Sequence, residues 1–148
     1  MSLKLAQMGC KISVVDIDLA AAEETVKIIT EEGLSAIAIK CDVTSIEDIV
    51  KAGQIARNTF GTVDILINNA GIVTGKKILD ITERDLKKTF EVNAISHVFT
   101  VKEFLPDMLK QNKGHIVSIA SVAGIIGVPG LSDYCGSKFA AFGIDESL

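Results

Sequence analysis

Four short apolar or β-branched runs, each separated from the next by a longer stretch, constrain this chain more than any other feature. The runs are Ile12 to Val15, Leu34 to Ile39, Ile65 to Ile67 and His115 to Ala120. Strands joined by connections this long do not pair as hairpins. A strand–helix–strand–helix order calls for parallel strands with helices on both faces. The Ile65 run is apolar without alternation, the pattern of a strand covered on both faces.

The intervening stretches read as helices. Met1 to Met8 places Met1, Leu5 and Met8 on one side, with Gly9 as the C-cap. Asp18 is a candidate N-cap for a helix whose Ala22, Val26 and Ile29 share a face and which ends at Gly33. Thr44-Ser45-Ile46-Glu47 has the spacing of a capping box, opening a helix that stops near Gly61. Thr82 caps a long helix with Leu86, Phe90, Ala94, Val101, Leu105 and Met108 on one side; Pro106 is expected to kink or break it, and Gly114 closes the region. A last helix runs from about Ser132 to the C-terminus. There are no internal repeats or linkers, so the expectation is a single α/β domain over 1–148, or part of one, with no second domain.

Composition narrows the class. The chain has 148 residues, 48% of them hydrophobic, and a formal net charge of −4. That is too apolar for a disordered chain and too acidic for a nucleic-acid partner bound by neutralising phosphates. Cys10, Cys41 and Cys135 are an odd, widely spaced set with neither a disulfide framework nor a metal-binding pair, which suits a reducing, cytoplasmic setting. No metal is expected. The most apolar stretch, His115 to Leu131, is interrupted by Gly124, Gly127, Pro129 and Gly130 and is short for a membrane span. The first residues lack the apolar region and cleavage site of a signal peptide.

In open parallel sheets, ligands bind outside the carboxyl ends of the strands. At the first such end stands Asp16, where an acid takes both hydroxyls of an adenosine ribose and repels a 2′-phosphate; an ordinary loop aspartate is the alternative. Asp42 follows the second strand and is suited either to accept from an adenine amino group or to cap a turn. The third strand ends in Asn68-Asn69-Ala70-Gly71, which lets a ligand approach the backbone closely or makes a plain turn. Beyond the fourth strand come Ser121, then Tyr134, the only tyrosine, and Lys138. Helical positions i and i+4 share a face, so the ammonium lies near the phenol. A nearby cation favours a phenolate and suits a tyrosine to general acid/base work. A helix-surface pair is the plain alternative.

Taken together, Asn68-Asn69-Ala70-Gly71, Val92-Asn93-Ala94, Ser121 and Tyr134-Cys135-Gly136-Ser137-Lys138 resemble the short-chain dehydrogenase/reductase family in order and spacing. Asn68 to Lys77, Phe104-Leu105-Pro106, Gly114 to Val117 and Asp133 to Gly143 are similar to its epidermal retinol dehydrogenase and 17β-hydroxysteroid dehydrogenase branch. The resemblance implies a Rossmann-like doubly wound parallel sheet and a hydride exchanged between NAD, rather than NADP, and a lipophilic alcohol, ketone or aldehyde.

It also implies roles. Tyr134 is the general acid/base. Lys138 holds the nicotinamide ribose and acts on the tyrosine. Ser121 hydrogen-bonds the substrate oxygen, preferred over Ser118 and Ser137 by its spacing to Tyr134. Asn93 holds a water of the proton relay. Asp16 binds ribose, Asp42 and Val43 flank adenine, and Asn69, Ala70 and Gly71 line the cofactor. Ala123 to Leu131 forms an apolar wall for a retinoid or steroid, or is plain packing. From the helix face it shares with Asn93 and Phe90, His97 reads as a packing histidine, or one that supports the site from behind, rather than a catalyst.

One departure stands out. The family's glycine-rich phosphate turn lies about 20 residues ahead of the ribose-binding acid, and counting back from Asp16 passes Met1. The first strand with its glycine loop, central in the family's strand order, is therefore expected to be absent, as are the strands after Leu148. Two functional classes follow: part of a dehydrogenase, homodimeric in its parent through the long helices flanking the fourth strand, or a catalytically inactive interaction module. For a longer parent, the branch implies a place at the endoplasmic reticulum or lipid droplets.

Overall fold

Each expected strand forms, with its ends moved by at most two residues. A computed structural model describes residues 1–148. The chain divides into two units, Met1–Val63 and Asp64–Leu148.

The first unit runs α1 (Ser2–Gln7), β1 (Ile12–Asp16), α2 (Leu19–Glu31), β2 (Ala36–Lys40) and α3 (Ile46–Phe60). β1 and β2 pair in parallel, from Ile12 opposite Ala36 to Asp16 opposite Lys40. Helix α2 starts where Asp18 accepts from the amides of Ala20 (3.0 Å) and Ala21 (3.3 Å). It buries Ala22 and Ile29. The chain leaves α2 through Gly33 at φ +75°, a left-handed conformation that favours glycine. The N-cap of α3 is Ser45 rather than Thr44: Ser45 Oγ accepts from Asp48 N at 3.2 Å. The Thr44 hydroxyl instead donates to Asp42 at 2.7 Å, and this shifts the cap by one residue.

The second unit runs β3 (Ile65–Asn68), α4 (Glu83–Phe90), a π-turn (Glu91–Ile95), α5 (Ser96–Gln111), β4 (His115–Ser118) and α6 (Ser132–Glu146). Short 3₁₀ turns lie at Ile78–Asp80 and Val122–Gly124. β3 and β4 are parallel, Ile65 opposite His115 and Asn68 opposite Ser118. The architecture is thus α/β with parallel strands, hydrogen-bonded as two separate pairs. With one neighbouring strand, β3 is not covered throughout, and Ile65 stays 43% exposed.

The long helix expected after Thr82 is interrupted, but not at Pro106, which lies inside α5. The break is the π-turn around Asn93. A π-turn inserts an extra residue and rotates the buried face. Ala94, Val101 and Met108 are buried as expected, whereas in α4 the buried position is Thr89 and Leu86 is 44% exposed.

Candidate active site

In the first unit the candidate residues cluster at the carboxyl ends of β1 and β2. The amide of Cys41 donates to the Asp16 carbonyl at 2.9 Å, extending the ladder to the point where both strands end. Asp16 is exposed, and its Oδ1 accepts from Asp18 N at 2.9 Å, which fixes the carboxylate at the strand end. Asp42 Oδ1 accepts from both the amide (2.9 Å) and the hydroxyl (2.7 Å) of Thr44, so this oxygen caps a turn. Val43 is half-buried beside it. Burial, with the carboxylates of Asp48 and Asp42, pushes the Cys41 thiol up to about 11.

In the second unit the two asparagines after β3 divide their labour. Asn68 is buried, and its Oδ1 accepts from Thr100 Oγ1 of α5 at 2.7 Å. Asn69, Ala70 and Gly71 are exposed. Beyond them, Asn93 is fully buried in the π-turn. Its Oδ1 accepts from Ile72 N at 2.8 Å; its Nδ2 donates to Ile72 O at 2.8 Å and to Ser137 Oγ at 3.0 Å. Both amide N–H groups are used, leaving an Oδ1 lone pair for any further partner. Ser137 in turn donates to the Tyr134 carbonyl at 2.7 Å.

Lys138 is buried on α6, with Nζ donating to the Ile119 carbonyl at 2.9 Å and lying 5.9 Å from the centre of the Tyr134 ring. A Cβ on Gly71 would stand 3.6 Å from Asn93 Oδ1 and 3.7 Å from Lys138 Nζ. The loop after β3, the π-turn and α6 therefore meet at one place. Ser121 caps the Val122–Gly124 turn, its Oγ accepting from Ala123 N at 3.2 Å. That turn packs on α6: a Cβ on Gly124 would come within 2.9 Å of the Lys138 carbonyl. Ser121 Oγ spends a lone pair on the cap and keeps its proton for a donor role. No hydrogen bond joins it to Tyr134.

The short chain dehydrogenase family model matches residues 1–148. The chain belongs to that family. Human "Epidermal retinol dehydrogenase 2" is 44% identical over 149 residues, covering 100% of this chain and 48% of the relative. Human "Estradiol 17-beta-dehydrogenase 11" is 39% identical over 145 residues, covering 98% and 48%. A short chain dehydrogenase/reductase from Burkholderia phymatum, solved in complex with NAD, superposes with a TM-score of 0.94 at 33% identity, covering 97% of this chain and 52% of that one. The parallel α/β architecture is thus that of the family's Rossmann fold. The chain spans about half the length of the curated relatives it matches.

Sequence reasoning missed three polar residues of the second unit. Thr89 and Ser137 are completely buried, and Asp133 is 2% exposed. In the sequence Ser137 stands only as an alternative to Ser121; the structure puts its hydroxyl on Asn93 Nδ2. Asp133 sits in the first turn of α6, where an acid ordinarily complements the helix dipole, and nothing local marks it as buried. His97 is 2% exposed, with Nδ1 3.2 Å from Asp145 Oδ2.

Proposed function

We propose that this chain carries the alcohol–carbonyl chemistry of an NAD-dependent short-chain dehydrogenase acting on a lipophilic alcohol, ketone or aldehyde of retinoid or steroid type. The observation that carries it is Lys138, buried, anchored on the Ile119 carbonyl, and within 5.9 Å of the ring centre of Tyr134.

Within each unit, the residues present suit one part of a nicotinamide dinucleotide. Gly71 leaves free the space in front of the ammonium that a Cβ would take up. Asp16 is an exposed strand-end carboxylate with Oδ2 uncommitted, which suits two ribose hydroxyls and disfavours a 2′-phosphate; this supports NAD over NADP. Val43 offers an apolar edge to adenine beside Asp42, and Asn69 and Ala70 line the approach to Gly71. The cofactor, when bound, supplies or accepts the hydride. Tyr134 gives its proton to the carbonyl oxygen in reduction and takes it from the alcohol in oxidation. Ser121 donates to the same oxygen. Lys138, its ammonium facing Gly71, holds the nicotinamide ribose, and Asn93 fixes the loop after β3 and offers its remaining lone pair to a water.

Retinoid or steroid specificity rests on the relatives and on the exposed Val122, Ile125 and Ile126 of the segment after Ser121. The three free cysteines suit a reducing, cytosol-facing location, at a membrane or droplet surface for a longer parent. No helix is long and apolar enough to cross a membrane.

The test is calorimetric titration of the chain with NAD, followed by turnover of a retinol and a steroid alcohol. Tyr134→Phe is expected to lower turnover by about 10²–10⁴-fold with NAD affinity unchanged. Unchanged turnover in that variant overturns the assignment. A second reading, a non-catalytic interaction module, is favoured by Phe139 (46%) and Phe142 (44%), both exposed on α6. A chain that self-associates without binding NAD decides for it.

A further inference from the structure

Up to Lys76, the segment 71–77 after β3 is held by side chains. No backbone–backbone hydrogen bond involves residues 69–76. Alternate residues are pinned instead. Ile72 is gripped at N and O by Asn93, Thr74 donates to Asp133 Oδ2 at 2.7 Å, and Lys76 Nζ reaches Asp85 Oδ2 at 2.7 Å. Between these anchors Val73 is 55% exposed and Gly75 is left-handed at φ +67°. The pattern is an extended strap with its even residues tied down.

The middle tie is the costly one. Asp133 is 2% exposed, and its Oδ2 accepts from two threonine hydroxyls, Thr74 at 2.7 Å and Thr89 of α4 at 3.4 Å. Its Oδ1 is buried and makes no hydrogen bond. The start of α6 favours an acid through the helix dipole, yet one oxygen of this carboxylate is removed from water without a hydrogen-bond partner, which costs stability. An orphaned buried atom of this kind calls for a specific role. Asp133 immediately precedes Tyr134 on α6, and the same helix carries Lys138, whose ammonium faces Gly71 at the start of the strap.

We propose that Asp133 is a positioning residue for the reaction: through Thr74 it fixes the strap 71–77 against the helix of Tyr134 and Lys138, and so sets the spacing between Gly71 and the Lys138 ammonium. The role rests on the functional reading above. The tie joins three elements, the strap, α4 and α6, at a point next to Tyr134, so loosening it shifts the wall of the site relative to the proton donor. Small displacements there are costly, because about 1 Å of misplacement lowers a rate by up to about a hundredfold.

The test uses Thr74→Val, which removes the donor at nearly constant shape, Thr74→Ser, which restores it, and Asp133→Ala. Amide exchange at Ile72 and Lys76 is read alongside NAD affinity, kcat and KM for a retinol or steroid alcohol. Loss of the hydrogen bond is expected to speed exchange at these two amides about fivefold in Thr74→Val and Asp133→Ala. In the same variants kcat falls by about tenfold to a hundredfold with NAD affinity little changed, and Thr74→Ser behaves as wild type. Unchanged exchange overturns the tether. Faster exchange with unchanged kcat overturns the positioning role and leaves Asp133 purely structural. A wild-type chain that neither binds NAD nor turns over defeats the functional reading and this role with it, and is told apart because no variant is needed to see it.

Discussion

The two units solve the same problem, a pair of parallel strands with helices, with different uses of polar side chains. In Met1–Val63 the hydrogen bonds of side chains mostly close local turns and caps: Asp16 to Asp18, Asp18 to Ala20, Asp42 to Thr44, Ser45 to Asp48. Gln7 to Glu32 spans a longer separation and is exposed. In Asp64–Leu148 they cross the chain: Asn68 with Thr100, Ile72 with Asn93, Thr74 with Asp133, Asn93 with Ser137, Ile119 with Lys138. Several of these partners are buried. A buried polar network rigidifies and specifies one arrangement only when its members are satisfied. The first unit is shaped by ladder and caps, the second by a network that converges near Tyr134.

Five measurements test that contrast. The largest expected effect is Ile29→Ala, which empties a fully buried site of the first unit and costs about 2–5 kcal/mol. Faster exchange should be confined to β1, β2 and α2 of that unit. Asn93→Ala removes three hydrogen bonds and leaves the buried Ser137 Oγ short of its donor, for about 1–3 kcal/mol. Its signature is distance: exchange at Ile72 rises although that residue lies in the loop after β3. If only α4 and α5 respond, the cross-chain network is not a unit. Ser45→Ala removes a local cap for about 1 kcal/mol, seen as fraying of the first turn of α3 and nowhere in the second unit.

The smallest effects are in pH. Cys41 is raised to about 11, so the neutral thiol is favoured by folding. Its stabilisation is complete below the unfolded thiol pKa of about 8.5 and is lost as pH rises through 11. Melting curves between pH 8 and 11 should fall less steeply in Cys41→Ala than in wild type. Asp85 runs the other way. Lys76, with help from the hydroxyl and amide of Thr82, holds it down to about 2. Its contribution is present above the unfolded carboxylate range and is lost as pH falls through 2. In Lys76→Met the Asp85 titration followed by NMR should move up towards the ordinary carboxylate range. An unmoved titration breaks the link between the strap and α4.

The strands and most helix starts were readable because their determinants are local. Asp18 and Thr82 cap as expected, and Gly33 ends α2 where a left-handed residue is needed. The α3 cap falls one residue later than its spacing suggests because Asp42 engages the Thr44 hydroxyl and leaves the cap to Ser45, and composition does not say which of the two adjacent hydroxyls is taken. The π-turn was invisible, since an extra residue in a helix leaves the apolar spacing only slightly out of phase. Asp133 and Thr89 were missed for a different reason: each looks like an ordinary surface polar residue in its own helix, and only the partner from a distant segment makes it buried.

By itself the sequence determined the parallel α/β architecture, the family, and the set Asn93, Ser121, Tyr134 and Lys138 as the residues to test. The architecture depends on periodicity and turn chemistry, which are local; the family and the four residues come from the resemblance of short motifs along the chain. The tertiary structure alone decided which polar groups are shared: that Asn93 spends its amide on Ile72 and Ser137, that Lys138 is anchored on Ile119, and that Asp133 holds the strap through Thr74. Those are pairings between segments far apart in sequence. Burial fixes them, because a polar group removed from water must find its partner wherever the fold brings one.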